Sequence, residues 1–142
     1  MSDMAMWKNK NGLPARMIRL IFGLFLFALG IVVTLQAKVG FAPWDVLHVG
    51  LAKTTGLSIG LMSVLVGVLL VFVTLLLGET IGLGTLLNMV LIGFFLDMIL
   101  NLELIPAANN FISGIGMLLI GLMIISLASY FYIGAALGAG PR

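Results

Sequence analysis

Residues 17–37 read MIRLIFGLFLFALGIVVTLQA and contain a single charged side chain, Arg19, near the start. A helix needs about 20 mainly apolar residues to cross the roughly 30 Å hydrocarbon core of a bilayer. The apolar region of a cleaved signal peptide is shorter, about 7–15 residues, so we expect this segment to remain in the mature chain. It predicts a first transmembrane helix.

The composition of the whole chain agrees with a place in the membrane. Of 142 residues, 62% are hydrophobic and 8% are charged, whereas roughly 25% are charged in a soluble domain. A small soluble domain could not hide so much apolar surface from water. The chain has no cysteine and one histidine, which excludes disulfides and thiolate metal sites and argues against a multi-histidine site, so no metal or cofactor is predicted.

Three further apolar segments are long enough to cross the bilayer, at 57–77, 82–102 and 111–137. The predicted fold class is therefore an all-α polytopic membrane protein with about four transmembrane helices.

The segment between the first two spans predicts a short helix over 43–55, about 13 residues or roughly 20 Å long, which cannot span. Pro43 suits the first helical position, and Asp45 in the first turn favours the helix dipole. At 100° per residue, Asp45 and His48 lie on one side and Trp44 on the other. Two arrangements stay open: a re-entrant helix whose Trp44-Asp45 end forms a gate or site, or an amphipathic helix on the outer surface, anchored by Trp44. The surface arrangement is preferred, and His48 is then expected to be partly exposed.

Four of the seven basic residues precede or open the first span: Lys8, Lys10, Arg16 and Arg19. Lysine and arginine concentrate on the cytoplasmic side of membrane proteins. The pattern predicts a basic cytoplasmic N-terminus over 1–16 and an outer location for 38–56. It indicates topology, and no nucleic-acid partner is predicted.

Small residues recur at helical spacing within the spans, where they let helices approach closely in lipid. The candidate helix-packing residues are Gly23, Gly30, Gly60, Gly67 and Gly93.

Asp97 lies about five residues from the outer end of the third span, where a carboxylate is costly unless it is paired or faces a polar cavity. Asn101 shares its helix face, and Asn88 projects about 180° away, where we expect it to hydrogen-bond to a neighbouring helix. Asp97 is either a proton or cation site or a group that reaches the outer headgroups with Asn101. The candidate substrate or ion site is Trp44, Asp45, Asp97 and Asn101.

The motif Gly56-Leu57-Ser58-Ile59-Gly60 matches the Gly-x-Ser-x-Gly hydrolase pattern but lacks its strand-turn-helix context, so no enzyme is predicted. A structural interpretation fits better: Gly56 frees the turn, Ser58 caps the second span, and Gly60 admits a neighbouring helix.

The chain contains a weak internal repeat with an offset of 98 residues. The offset places Gly23-Leu24 on Gly121-Leu122, Leu29 on Leu127, Ala37 on Ala135, Gly40 on Gly138, and Pro43 on Pro141. Because three spans precede the second copy, it would enter the membrane in the opposite direction, as in inverted-repeat transporters. We therefore predict a first repeat over 17–104 and, over 111–142, the first helix of a second repeat that is cut off.

Several motifs resemble the YczE branch of the bacterial YitT/YczE membrane proteins: Pro43-Trp44-Asp45-Val46-Leu47, Gly56 to Gly60, Gly82-Leu83-Gly84-Thr85, Gly93 to Asp97, and the closing Gly138-Ala139-Gly140-Pro141-Arg142. The resemblance extends from about Arg16 to the end. It implies a polytopic protein of the bacterial plasma membrane with a suspected transport role and no catalytic residues to carry over. Members of that family are longer, so the resemblance also implies an incomplete inverted-repeat architecture.

The leading functional hypothesis is a transporter or permease-like protein for a small solute or ion. The alternative is a structural or accessory protein that binds other membrane proteins through its small-residue faces. The lipid bilayer, a homo-oligomer partner or the missing second half, and a small solute are the expected partners.

Overall fold

A computed structural model describes residues 12–137 and contains five α-helices and, within that range, no strand. They are α1 (Leu13–Gln36), α2 (Pro43–Thr55), α3 (Ile59–Leu76), α4 (Leu83–Asn101) and α5 (Phe111–Ala135). Four of them, all except α2, are long and apolar enough to cross a membrane. The predicted all-α fold with four candidate spans and one short helix is confirmed. Most of the predicted basic N-terminus and the whole motif 138–142 lie outside the described residues.

Helix α1 is the centre of the bundle. Half of its most apolar window is buried inside the protein, against 11% for α3, 22% for α4 and 17% for α5. Residues at a spacing of four form its most buried stripe, at most 1% exposed: Leu20, Leu24, Ala28 and Val32. This stripe packs against Leu96 and Ile99 of α4 and against the partly buried Leu87 and Leu91 of the same helix. The outer helices keep their large apolar side chains exposed, as helices facing lipid do.

Helices α1 and α5 make the most extensive contact, and small residues lie along the whole of it. A Cβ built on Gly30 would lie 3.1 Å from the Gly121 carbonyl oxygen, and one on Gly23 would lie 3.3 Å from the Ala128 carbonyl oxygen. At the other end of the pair, a Cβ on Gly114 would lie 2.5 Å from the Ala37 carbonyl oxygen. The two helices are therefore antiparallel, with their backbones in contact at intervals of seven residues.

The start of α1 lies beside the end of α5. The Arg16 guanidinium donates from Nε to the Ala135 carbonyl at 2.9 Å and from a terminal nitrogen to the Ala136 carbonyl at 2.5 Å. Arg19 lies over the Tyr130 ring, 5.2 Å from its centroid. A cation at a helix C-terminus satisfies orphan carbonyls and the dipole together. These two arginines, which the charge pattern assigned to topology, therefore also bind the end of α5.

Helices α3 and α4 meet through a second pair of glycines. A Cβ on Gly93 would lie 2.6 Å from the Gly60 carbonyl oxygen, and a Cβ on Gly60 would collide with the Gly93 carbonyl. The turn before α3 has the predicted form, since Gly56 has φ 75° and the Ser58 hydroxyl accepts the Leu61 N–H. Helix α2 packs on α3, so the order of contacts is α5, α1, α4, α3, α2.

Candidate functional site

A cavity of about 440 Å³ lies among the helices, with walls from all five of them. Its volume is within the range of about 300–1,000 Å³ that is typical of small-molecule sites. Most of the wall is apolar, but polar side chains enter from several helices: Asp45, His48, Ser63, Thr74, Thr80, Thr85, Asn88 and Tyr132. Polar groups converging on one space inside an apolar bundle mark it as the candidate site.

The shape of the cavity follows from helix packing. Helix α1 packs on α4 and α5, and α3 packs on α4 and α2, so α1 and α3 are neighbours of α4 without packing extensively on each other. The lining residues of α3 run from Ile59 to Thr74 on one face. At 1.5 Å per residue this is roughly 22 Å of helix, most of the roughly 30 Å hydrocarbon thickness. The cavity is therefore elongated along α3.

Helix α2 covers one end of the cavity and turns its polar side inward. His48, Val49 and Ala52 are buried, whereas Trp44 is 52% exposed and Val46 is 53% exposed. The expectation that His48 is partly exposed is wrong, because it is only 6% exposed. The side of α2 that carries His48 therefore faces the protein, whereas Lys53 near its end is exposed.

Asp45 and His48 lie one helical turn apart and both line the cavity. Burial raises the pKa of the Asp45 carboxyl, and the nearby imidazole opposes that shift. Burial lowers the pKa of the His48 imidazole, and the carboxylate opposes that shift in turn. Within the described part of the chain, His48 Nε2 is buried without a hydrogen-bond partner. The Trp44 ring contacts the imidazole edge-on, with centroids 5.5 Å apart.

A second cavity, of about 320 Å³, adjoins the α1–α5 pair and the loop before α2. Its walls include Thr34, Phe41 and Leu122. Asp45 lines this cavity as well as the larger one. Asp45 therefore borders two spaces.

Asp97 belongs to a different part of the molecule. Its carboxylate accepts a hydrogen bond from the Ser58 hydroxyl at 2.5 Å and one from the Gly60 N–H at 2.8 Å, at the start of α3. Negative charge at a helix N-terminus satisfies free N–H groups and the dipole. Asp97 is not among the residues that line the large cavity, and Asn101 is exposed at the end of α4. The structure thus brings Trp44 and Asp45 together and separates them from Asp97 and Asn101.

Asn88 lines the cavity, although the sequence suggested only a contact with another helix. One signal was available: Asn88 lies on the face of α4 opposite Asp97, and that face is the one turned to the cavity. Tyr132 and the threonines that line the cavity carried no comparable signal, because hydroxyl groups are common in transmembrane helices, where threonine often bonds to its own backbone.

A helical bundle with four membrane-spanning helices and a polar-lined cavity defines a multi-pass integral membrane protein. The chain belongs to DUF6198, a family of unknown function, which it matches over residues 14–142. The YczE-like resemblance is confirmed by 38% identity over 122 residues to the uncharacterised membrane protein YczE of Bacillus subtilis (strain 168), covering 84% of this chain and 56% of YczE.

Two other relatives are similar to the chain. An uncharacterised protein of Haemophilus influenzae (strain KW20 / Rd) is 33% identical over 123 residues, which cover 87% of this chain and 56% of that protein. The uncharacterised protein YyaS of Bacillus subtilis is 44% identical over 48 residues, covering 34% and 24%. The chain spans about half the length of the first two curated relatives it matches. No solved structure matches it.

Proposed function

We propose that this chain contributes to a transporter for a small solute in the bacterial plasma membrane, with the large cavity as part of the solute path. The observation that carries the proposal is the inward-facing polar side of α2. Asp45 and His48 line an internal cavity together with Trp44, whereas Val46 on the other side of the helix is 53% exposed.

A polar or ionisable side chain at membrane depth is costly unless it has a partner or faces a polar cavity. His48 Nε2 has no hydrogen-bond partner among the described residues. A structural protein would have little reason to keep a buried imidazole nitrogen without a hydrogen-bond partner. A solute that hydrogen-bonds to them would offset that cost.

The contact between α1 and α5 supports an inverted-repeat arrangement as part of the proposal. The offset of 98 residues places Gly23, Gly30 and Ala37 on Gly121, Ala128 and Ala135. Gly23 lies beside Ala128, and Gly30 lies beside Gly121. Small residues of the two copies thus face each other, as expected where two repeats meet around a transport site.

The basic residues that open the chain support a cytoplasmic N-terminus as a further part of the proposal. The loop between α4 and α5 then faces outward. Because the chain has no cysteine, an Asn109→Cys variant tests this directly. An impermeant maleimide should label it in intact cells, and labelling only after lysis would refute the orientation.

The accessory role is the second candidate, and the exposed side of α5 favours it. Ile112 is 83% exposed, Met123 is 72% exposed and Ile133 is 70% exposed. These side chains form an apolar surface that another membrane protein or a second copy would cover as well as lipid does.

Blocking the cavity separates the two candidates. Ser63→Phe places a ring in the cavity, whereas Val68→Phe places one on the exposed face of the same helix. Proteoliposomes are given osmotic steps of glycerol, sorbitol or ethanolamine hydrochloride, and re-swelling is followed by stopped-flow light scattering. We expect faster re-swelling than in protein-free vesicles for at least one solute, lost in Ser63→Phe and kept in Val68→Phe. Equal rates for the two variants, or no rate above protein-free vesicles, would favour the accessory role.

A further inference from the structure

We propose that the large cavity selects a small organic cation, such as a primary ammonium compound, and binds its charged group at Asp45 and His48. The inference rests on the proposed function and adds to it the charge class of the solute.

When the Asp45 carboxyl is ionised, the cavity wall is negative; burial raises the pKa of this carboxyl, and a bound cation would lower it again. Among the described residues that line it, Asp45 is the single acidic side chain, and no lysine or arginine is present. Burial lowers the pKa of the His48 imidazole, which favours its neutral form at neutral pH. A carboxylate without a cationic partner in an apolar space attracts a cation strongly, because the low dielectric screens the charge poorly.

His48 supplies a second group for the same ligand. His48 is among the residues that line the cavity, and its buried Nε2 makes no hydrogen bond within residues 12–137. A neutral imidazole nitrogen can accept a hydrogen bond, and an ammonium group has three donors to give. The Asp45 carboxylate and the imidazole would thus share one ammonium.

Aromatic rings favour an organic cation over an alkali ion. Trp44 lines the cavity beside His48, and Phe27 and Tyr132 line it farther along, with ring centroids 6.3 Å apart. Aromatic faces attract ammonium groups, whereas alkali and alkaline-earth cations are held by several oxygen ligands. The carbon skeleton of an organic cation would contact the apolar wall, and its remaining polar groups would reach Ser63 or Asn88.

The second cavity adds a route to the carboxylate. Asp45 lines both the 440 Å³ and the 320 Å³ spaces. A cation in the smaller cavity would lie beside the same acidic residue that borders the larger one. Asp45 is therefore placed to select for charge between the two.

The test measures binding, without any need for flux. Trp7→Phe leaves Trp44 as the single tryptophan, and its ring contacts His48. The full chain in detergent is titrated at neutral pH with three probes that share a hydroxylated two-carbon skeleton: ethanolammonium, neutral ethylene glycol and anionic glycolate. We expect a saturable change of Trp44 emission with ethanolammonium alone.

Two variants in this background provide the matched comparison. Asp45→Asn should weaken ethanolammonium binding at least about tenfold, because it removes the buried charge. Glu103→Gln removes an acid from the exposed α4–α5 loop and should bind like the parent. If Asp45→Asn does not elute as a folded protein in size-exclusion chromatography, the comparison of the three probes on the parent tests the cation inference by itself.

The cation inference is overturned if ethylene glycol or glycolate binds as tightly, if no probe gives a saturable change, or if Asp45→Asn binds like the parent. Its failure is distinct from failure of the transport proposal. Solute flux that Ser63→Phe blocks, without ethanolammonium binding, keeps transport and refutes cation selection. Ethanolammonium binding without flux of any solute keeps cation selection and refutes transport.

Discussion

Replacement of Asp97 by alanine should destabilise the junction of α3 and α4. The carboxylate accepts two hydrogen bonds, from the Ser58 hydroxyl at 2.5 Å and from the Gly60 N–H at 2.8 Å. Hydrogen bonds to charged groups contribute about 1.5–3 kcal/mol each. Ser58 is exposed and can bond to water, so we expect a total loss of about 2–4 kcal/mol. Asp97→Asn keeps one acceptor oxygen and should cost about 1 kcal/mol.

The measurement is SDS-driven unfolding in mixed micelles, followed by tryptophan emission. Ser58→Ala alone should cost about 1–2 kcal/mol, because it also removes the acceptor of the Leu61 N–H at 3.2 Å. The double variant Ser58→Ala with Asp97→Ala should cost less than the sum of the two, because the variants share one bond. Asn101→Ala, at the exposed end of the same helix, should change the free energy of unfolding by less than about 0.5 kcal/mol. If Asp97→Ala unfolds like the parent while abolishing solute flux, the capping role is refuted and the ion-site hypothesis for Asp97 is favoured.

Two further predictions concern the α1–α5 contact and the titration of α2. Gly30→Leu should lower the free energy of unfolding by about 1–3 kcal/mol in the same assay, because its Cβ would meet Ile125 and a backbone oxygen. The control is Gly116→Leu, whose Cβ would meet no atom within 4 Å and which should leave the free energy of unfolding unchanged. Equal effects of the two variants would refute the close contact between α1 and α5. In the single-tryptophan background, Trp44 emission should titrate with a midpoint below about 6.5, the usual His pKa, since burial lowers the pKa of His48 more than the neighbouring acid raises it. The unfolded state then binds more protons at His48, so the contribution of His48 to stability should decrease as the pH falls below about 6.5, whereas the raised pKa of Asp45 contributes in the opposite direction at lower pH. A midpoint above about 6.5, or one unchanged in His48→Gln, would contradict the assignment.

Asp97 lies in a transmembrane helix, but its contacts are those of a helix cap and not those of an ion site. Its location in the third span raised the hypothesis of a proton or cation site. In the structure its two oxygens are occupied by a hydroxyl and a backbone N–H at the start of α3. The close approach of Gly60 and Gly93 brings α4 near enough for this, since Gly93 lies one turn before the acid. Asp45, which has no such cap to make, is the better candidate for solute binding.

Local features of the fold could be predicted because they depend on neighbours within a few residues. Pro43 at the first helical position and Gly56 with φ 75° bound α2 where the sequence predicted it. The Ser58 cap is equally local, since its hydroxyl accepts the Leu61 N–H three residues later. The number of apolar spans followed from length alone.

The rotation of each helix could not be predicted in the same way. Helices α4 and α5 are apolar nearly all round, so hydrophobicity does not distinguish a lipid-facing side from a packed side. For α2 the sequence distinguished a polar side from an apolar side, but it predicted a partly exposed His48, which is buried in the structure. The packing of α2 on α3 decides that His48, Val49 and Ala52 turn inward.

The sequence by itself determined that this protein crosses the membrane in about four helices, with a short helix bounded by proline and glycine, because chain length and local backbone preferences settle those features. Only the tertiary structure decided that Asp97 caps α3, that Arg16 binds the end of α5, and that Asp45 and His48 share a cavity with Asn88. The physical reason is that these contacts join residues on different helices. In a bilayer, van der Waals packing of small residues and hydrogen bonds orient one helix against another, and neither is visible in the apolar content of a single segment.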